Sequence, residues 1–432
     1  MRFSAESVAA ATGGRLVGPD VTIDGVSFDS RSLQPGQLFV PIVAERDGHE
    51  FVPIALERGA AAYLTAREPV GGTAIRVADT LGALMQLATA RRSHFHGPVI
   101  GITGSVGKTS TKDLARAALA VSRRTWANER SFNNEQGLPT TLLNTPDGTE
   151  VLVLEMGMRG FGEIAALCHI ARPSIGVVTR VAEAHSDRLG GIDGVAGAKA
   201  ELVEALPSDG TAVLNADDPR VRPMGAGTDA STLLFGTSAD ADVRIVDLQL
   251  DELARASFRL VTPWGDVPVR LGVSGAHMAS NAAAAIACVG VVGGDIAAGA
   301  AALWSVGLTT MRMEVRRTPH GGLVLDDSYN ANPTSMRAAL DALAAIPASR
   351  RVAVLGLMAE ISDPEVEHRG VVEYATALGI EVIAYGTDLY GVPPVDDPVA
   401  ALGSIPGSEA VLVKGSRVVG LERVAQALAA DG

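Results

Sequence analysis

Gly101-Ile-Thr-Gly-Ser-Val-Gly-Lys-Thr-Ser-Thr111 decides the fold of this 432-residue chain. Upstream, Val99, Ile100 and Ile102 form the apolar run of a buried strand; downstream, Leu114, Ala117, Ala118 and Val121 recur at helical spacing. A strand that turns through glycines into a helix opening at Lys108 and Thr109 builds a phosphate loop. Free backbone N–H groups and the positive end of the helix dipole favour a polyphosphate there, Lys108 adds a point charge, and the Thr109 hydroxyl can ligate Mg²⁺. Gly104, Ser105, Gly107, Lys108, Thr109 and Ser110 are therefore the candidate nucleotide contacts. The general pattern asks for a glycine five residues before Gly107, where Ile102 stands; Gly104 and Gly107 carry the turn instead. The competing explanation is a glycine-rich turn capping a surface helix. Strand, loop, Lys-Thr and helix occurring together favour the nucleotide.

The length suits two to four domains, each able to bury a core. With 36 basic and 49 acidic residues the net charge is −13, which discourages nonspecific contact with nucleic acid or anionic membrane. Cys168 and Cys288 both stand in apolar surroundings, so a disulfide framework is not expected and a reducing cytoplasm is the natural compartment. The opening MRFSAESVAAATGG carries no signal-peptide pattern. The Ala-rich run from Met278 to Leu303 is interrupted by Asn281, a Gly-Gly break and Asp295, and reads as two packed helices rather than a membrane span.

The predicted class is α/β with three domains. Residues 1–95 mix short strands with a helix near Phe51 to Arg58, as a small α/β domain. Residues 96–309 alternate strands and helices as a doubly wound sheet, with strands at Val99–Thr103, Val151–Leu154, Ile175–Thr179 and Ala212–Leu214. Between about Ala230 and Val273 the texture changes to polar-apolar alternation, an antiparallel insertion with a hairpin turn at Trp264-Gly-Asp266. Residues 310–432 form a second, Rossmann-like sheet from Leu323–Leu325, Val352–Leu355, Val382–Tyr385 and Val411–Val413.

Val151-Leu-Val-Leu-Glu155 ends an apolar strand in an acid, at the sheet edge where ligands collect. Glu155 can hold Mg²⁺ with Thr109, or merely cap the next turn; the phosphate loop favours the metal. His185 and Lys199 do not stand out by spacing alone. Lys199 has Val195 and Val203 at four residues on either side, so no acid pairs with it along its helix. Leu325-Asp-Asp-Ser-Tyr-Asn-Ala-Asn-Pro333 leaves a strand for a helix near Ser335; its acid pair could meet a ribose or a metal, and ordinary turn chemistry explains Asn330, Asn332 and Pro333 equally well. Lys414 and Arg417 lie just past the last strand, where Arg417 could grip a carboxylate or simply be solvated.

Together these pieces resemble one family, the Mur ligases, which join amino acids or peptides to UDP-sugar precursors of peptidoglycan. The resemblance rests on Thr103-Gly-Ser-Val-Gly-Lys-Thr109, Ser131-Phe-Asn-Asn134-Glu-Gln-Gly-Leu-Pro139, Leu154-Glu-Met-Gly157, Ala198-Lys199-Ala-Glu201 and Leu214-Asn-Ala-Asp-Asp218. It continues through Gly275-Ala-His277 with Asn281, Asp327-Ser-Tyr-Asn-Ala-Asn-Pro333 and Lys414-Gly-Ser-Arg417. Asp29-Ser30-Arg31, Pro35-Gly-Gln-Leu-Phe39 and Asp47-Gly-His49 resemble the family's N-terminal UDP-binding domain. The Asn-rich motif and the Lys-Gly-Ser-Arg tail point to the branch that adds D-alanyl-D-alanine.

The resemblance implies that ATP activates the carboxyl end of a UDP-linked muramyl peptide as an acyl phosphate, which a dipeptide amine then attacks. It implies Lys108 on the β/γ phosphates, Thr109 and Glu155 on a first Mg²⁺, and His185 and a carbamylated Lys199 at a second. Lys108, His185 and Lys199 are the implied catalytic residues. Asn134, Asn281, Arg312 and Asp327 match nucleotide-holding positions; Ser30, Arg31, Asn330, Asn332, Lys414 and Arg417 match substrate-side positions. A cytoplasmic monomer without membrane span or nucleic-acid partner, whose third domain swings onto the central one, is the expected form. The chain departs from the family pattern at Arg180-Val-Ala-Glu-Ala-His185, at Gly356-Leu-Met-Ala-Glu-Ile-Ser362, where an acid is lost at Leu357, and in a shortened loop before Asp47. The alternatives are a paralogue joining another carboxylate and amine, and a non-catalytic nucleotide-binding scaffold.

Overall fold

A computed structural model describes residues 2–129, 131–183 and 189–430. The chain folds as two compact units. One takes the residues up to Gly101 with Arg123–Met158 and Gly162–Ser174; the other takes Ile102–Ser122, Arg159–Phe161 and everything from Ile175 on. The strand Val99–Thr103 is divided between them after Gly101.

In the first unit, a five-stranded sheet runs in the order Arg15–Val17, Ala74–Arg76, Ala62–Thr65, Leu38–Phe39, Val26–Ser27. Its last four strands are parallel, and only the Arg15–Val17 edge is antiparallel. Phe39, Val52, Ala55, Tyr63 and Ala74 close the core against the short helix Val52–Glu57, within the predicted helical stretch. The buried Tyr63 ring keeps its hydroxyl satisfied by accepting the Val70 N–H at 2.9 Å. Helix Thr80–Arg92 starts at Asp79, whose carboxylate accepts the Leu81 and Gly82 N–H groups, a cap worth about 0.5–2 kcal/mol. The parallel pair Thr125–Ala127 and Val151–Glu155 belongs to this unit, and every residue of the second strand is buried.

The second unit holds two sheets. In the first, Ile175–Val178, Thr211–Asn215 and Ser231–Gly236 are parallel. Val243–Leu250 begins parallel to its neighbour, and Arg255–Val261 and Val267–Ser274 then follow as antiparallel strands. The expected antiparallel insertion is thus a continuation of the parallel sheet that starts at Val243, and Ser231–Gly236 is its parallel neighbour. The Ala-rich run folds as two helices, Met278–Val291 and Ile296–Ala302, the second capped by Asp295. Small side chains let the first helix sink almost wholly into the core. Among the described residues no helix is long and apolar enough to cross a membrane.

The second sheet orders Glu314–Arg317, Leu323–Asp327, Glu409–Lys414, Arg350–Leu355 and Glu381–Ala384; the first pair is antiparallel and the others parallel. The Glu314–Arg317 edge was not anticipated, because Glu-Val-Arg-Arg has the charged character of a protected edge rather than an apolar run. Val324, Val352, Val354, Val411 and Val413 fill one face, and full burial of each such side chain stabilises by about 1.5–3 kcal/mol. Helix Pro333–Ala345 starts with a reciprocal capping box between Asn332 and Ser335, and Pro333 occupies its first turn.

Candidate active site

The phosphate loop keeps its shape through close approaches that only glycine permits. Gly104 has φ +149°, and a Cβ there would lie 1.9 Å from Thr179 Oγ1. Gly107 has φ +85°, and a Cβ would lie 2.6 Å from Asn281 Oδ1. Both are required by positive φ and by close approach together. The Thr179 hydroxyl donates to the carbonyls of Val106 (2.6 Å) and Thr103 (3.2 Å), stapling the turn from below. Ser105 ties it to the neighbouring segment: its N–H donates to Arg180 O at 2.7 Å, its hydroxyl donates to Ala182 O at 2.8 Å, and it accepts the Ala182 N–H at 2.9 Å. Lys108 Nζ donates to Gly104 O at 2.6 Å, curling over the loop that it heads.

Helix Lys108–Ala120 buries Thr109 and Ser110 in its first turn. The Thr109 hydroxyl faces Arg312, whose Nη2 lies 3.4 Å away, and the Arg312 guanidinium lies 4.2 Å over the Tyr329 ring. Asn281, on helix Met278–Val291, stands against Gly107 and donates to Met278 Sδ at 3.5 Å. Asp327 ends its strand with both oxygens engaged: Oδ1 accepts the Met313 N–H at 3.2 Å, and Oδ2 meets Lys414 Nζ at 2.5 Å. Lys414 also donates to Asn330 O at 2.9 Å. Burial lowers the Lys414 pKa, against the opposing pull of Asp327. The second unit therefore assembles Lys108, Thr109, Asn281, Arg312, Asp327 and Lys414 around one loop and one strand end.

Lys199 lies on helix Ile192–Glu204 and is 4% exposed. Burial, reinforced by the charge of Lys108, holds its ammonium well below the usual lysine range. His185 lies outside the described residues.

In the first unit Glu155 is 1% exposed. Its N–H donates to Asn128 Oδ1 at 2.6 Å, and its Oε1 accepts Asn133 Nδ2 at 2.7 Å. Its Oε2 is buried without a hydrogen-bond partner. Asn134 accepts the Gly137 N–H at 3.0 Å, at the head of helix Gly137–Leu143. Ser30 is buried, while exposed Arg31 is held by Asp29 through bonds of 2.9 and 2.8 Å, which hold the Asp29 carboxyl below its usual value.

The substrate-side residues divide. Asn332 is buried and spends its side chain on the helix cap, Asn330 is exposed, and Arg417 pairs with Glu422 at 2.7 Å while its Nη1 lies 3.2 Å from Met311 Sδ. Thr179, Asn133, Asp113 and Asp218 were not singled out from the sequence. Asp218 receives the Val181 N–H at 2.9 Å and so fixes the segment that Ser105 grips; its place in Leu214-Asn-Ala-Asp-Asp218, at a strand end, was the available signal.

A phosphate loop on a parallel sheet, followed by a second Rossmann-type sheet whose first strand end faces it through Arg312, defines an ATP-dependent ligase architecture, and the chain belongs to the Mur ligase family. Residues 102–289 match the Mur ligase middle domain, and residues 311–430 match the family's glutamate ligase domain. Within the family the chain is similar to UDP-N-acetylmuramoyl-tripeptide–D-alanyl-D-alanine ligases. The one from Mycobacterium tuberculosis is 39% identical, over 94% of this chain and 92% of that one; the one from Escherichia coli is 34% identical, over 97% and 96%. Among solved structures, MurF from Acinetobacter baumannii superposes with TM-score 0.86 at 28% identity, covering 99% of each chain. MurF from Thermotoga maritima in complex with ADP gives 0.82 at 29%, covering 93% of this chain and 96% of that one.

Proposed function

We propose that this chain joins D-alanyl-D-alanine to UDP-N-acetylmuramoyl-tripeptide at the expense of ATP, in the cytoplasm, with residues 1–95 binding the UDP substrate, 96–309 the ATP and 310–432 the incoming dipeptide. The observation that carries this is the glycine-dependent loop headed by Lys108 and Thr109, in a chain that matches ligases of that name over more than nine-tenths of their length. Family-model spans of 102–289 and 311–430 support the proposed division.

A carboxylate repels a nucleophile and has no good leaving group. Phosphorylation supplies one, and the amine then adds to form a tetrahedral centre. Lys108 moves from Gly104 O to the β/γ phosphates and neutralises charge there. Gly104, Ser105, Gly107 and Ser110 shape the cradle. Asn281 and Arg312 flank the nucleotide, Arg312 held over the Tyr329 ring, with Asp327 at the ribose and Asn134 on the nucleotide. Ser30 and Arg31 bind the UDP side; Asn330 and Arg417 serve the acceptor side, which Asn332 shapes through its helix cap and Lys414 through its hold on Asp327 and the Asn330 carbonyl.

Two groups fit Mg²⁺. Glu155 has a buried carboxylate oxygen without a partner, and Thr109 offers a hydroxyl. Mg²⁺ bound with a nucleotide keeps several waters and takes one or two protein oxygens beside the phosphates. When bound, Mg²⁺ supplies charge neutralisation at the phosphoryl oxygens. Lys199 is proposed to be carbamylated and, with His185, to support a second ion: burial lowers its pKa, which favours the neutral amine that attacks CO₂.

Phosphate release is the test. Purified protein with ATP and Mg²⁺ should release phosphate and form the pentapeptide only when UDP-N-acetylmuramoyl-tripeptide and D-alanyl-D-alanine are both present. Turnover with other carboxylate-amine pairs and none with this one overturns the substrate assignment.

A further inference from the structure

The stretch Ser131-Phe-Asn-Asn134 sets two asparagines side by side, and the structure separates their tasks. Asn134 accepts the Gly137 N–H at the start of a helix. Asn133 donates its Nδ2–H to Glu155 Oε1 at 2.7 Å. Its backbone is pinned on both sides, its N–H donating to Ser131 O at 2.8 Å and its C=O accepting the Gly157 N–H at 2.8 Å. A Cβ at Gly157 would stand 2.8 Å from Asn133 Oδ1, so the glycine two residues past Glu155 makes room for the carboxamide. Glu155 is anchored in turn by the Asn128 side chain, which receives its N–H. One carboxylate oxygen thus has a donor, while Oε2 is buried with no partner.

We propose that Asn133 is a positioning residue for Glu155: it fixes Oε1 and so presents Oε2, alone, to a divalent cation. The terminal torsion of a glutamate is broad, so without a second anchor the carboxylate plane, and with it the free oxygen, would swing relative to the ligand. One amide donor removes that freedom. A neutral donor suits the task, because Lys or Arg would cancel the charge that draws the cation, and a second acid would compete for it. Loss of a partner of this kind around a ligating carboxylate typically weakens metal binding about 10–100-fold. Gly157 explains why the Glu-Met-Gly sequence accompanies the two asparagines: exchanging its hydrogen for a methyl would displace the amide.

The proposal rests on Glu155 as a Mg²⁺ ligand, and the experiment separates the two. Mn²⁺ binding to the full chain with saturating ADP is followed by the electron paramagnetic resonance of free Mn²⁺, for the wild type, Asn133→Ala, Asn133→Leu and Glu155→Gln. ADP binding is measured in EDTA on the same samples. Asn133→Ala should weaken Mn²⁺ binding by about 10–100-fold, with ADP affinity in EDTA unchanged; Asn133→Leu, which keeps the volume and removes the donor, should do the same if the alanine variant does not fold. Mn²⁺ affinity within twofold of wild type in a folded Asn133 variant overturns the proposal. So does an equal loss of metal-free ADP binding, which marks a structural role. If Glu155→Gln leaves Mn²⁺ binding intact, the metal assignment of Glu155 fails and this proposal with it; if Glu155→Gln weakens binding and the Asn133 variants do not, only this proposal fails.

Discussion

Asp113→Ala is the substitution with the widest expected reach. Asp113 lies on the phosphate-loop helix, and its Oδ2 accepts both the N–H and the hydroxyl of Thr309, each at 2.8 Å. Lys112 Nζ is 3.2 Å from Oδ1, with the two side chains 2% and 8% exposed. Thr309 opens the stretch that leads to the second sheet and includes Met311 and Met313 at φ 62° and 50°, conformations that cost a non-glycine residue about 1–3 kcal/mol each. These persist because neighbours hold them: Tyr329 N–H donates to Met311 O at 3.3 Å, and Met313 N–H to Asp327 Oδ1 at 3.2 Å. Removing the carboxylate deletes two bonds to a charged acceptor, about 1.5–3 kcal/mol each, and breaks a buried pair, about 3–5 kcal/mol. The losses share one group and do not add, so about 3–5 kcal/mol is expected overall. Thr309→Val keeps the shape and the backbone bond and should cost about 1.5–3 kcal/mol with Asp113 present, but little without it. Urea unfolding of the four members of this cycle, with hydrogen exchange at the Thr309 amide, measures both. A cost below about 1 kcal/mol for Asp113→Ala, or an equal cost of Thr309→Val in both backgrounds, refutes the anchoring role.

Three further outcomes follow from the geometry. Gly104→Ala should destroy ADP binding and destabilise by at least about 2 kcal/mol, because overpacking and backbone strain coincide; ADP affinity within twofold of wild type, by calorimetry, sinks the stapling role of Thr179. The Lys199 pKa is lowered in the folded state, so between that value and the ordinary 10.5 the unfolded chain binds the extra proton, and stability climbs with pH at about 1.4 kcal/mol per unit. In CO₂-free buffer Lys199→Met should therefore lose this alkaline slope, and an unchanged slope in urea unfolding contradicts it. His368 accepts the Met358 N–H at 2.9 Å and lies 2.5 Å from Pro364 O through Nδ1, and burial lowers its pKa from 6.5. Its neutral form holds the 356–362 segment, so stability is complete above about 6.5 and falls as pH drops below it; the protection factor of the Met358 amide, its exchange taken against the intrinsic rate at each pH, should fall on acidification, and a flat profile would count against the arrangement.

The sequence made the phosphate loop legible because its signal is local: glycine spacing, Lys-Thr, and a change of hydrophobic period within twenty or so residues. The parallel strands were legible for the same reason. The roles of Thr179, Asp113 and Asn133 were not, since each depends on a partner brought close by tertiary folding: Thr179 on a loop 76 residues earlier, Asp113 on Thr309 196 residues later. Lys199 shows the limit most clearly. Its helix neighbours said only that no acid pairs with it along the helix; its burial, which changes its chemistry, comes from packing that no periodicity reveals. The Glu314–Arg317 edge escaped because charge, which protects an edge from further pairing, also hides the strand.

Two of the three departures expected from the family pattern acquire a physical explanation at this level. Around Arg180, the hydrogen bonds that hold the phosphate loop use main-chain atoms of the departing segment: Arg180 O, Val181 N–H, and both the N–H and O of Ala182. The residues that recognise them, Ser105 and Asp218, lie in motifs that match. Side-chain identity at 180–182 can therefore change without moving the loop. Around Leu357 the logic repeats: Leu357 O accepts the Ser416 N–H at 2.9 Å, Ala359 N–H donates to Ser416 Oγ at 2.9 Å, and Gly356 N–H donates to Lys414 O at 2.9 Å. The Lys414-Gly-Ser-Arg417 segment is braced by backbone groups that survive the loss of an acid at 357. What such a loss can alter is the charge presented to a ligand, so its effect belongs in the Michaelis constant for a substrate rather than in the fold, and Leu357→Asp should shift that constant while leaving the melting temperature in place.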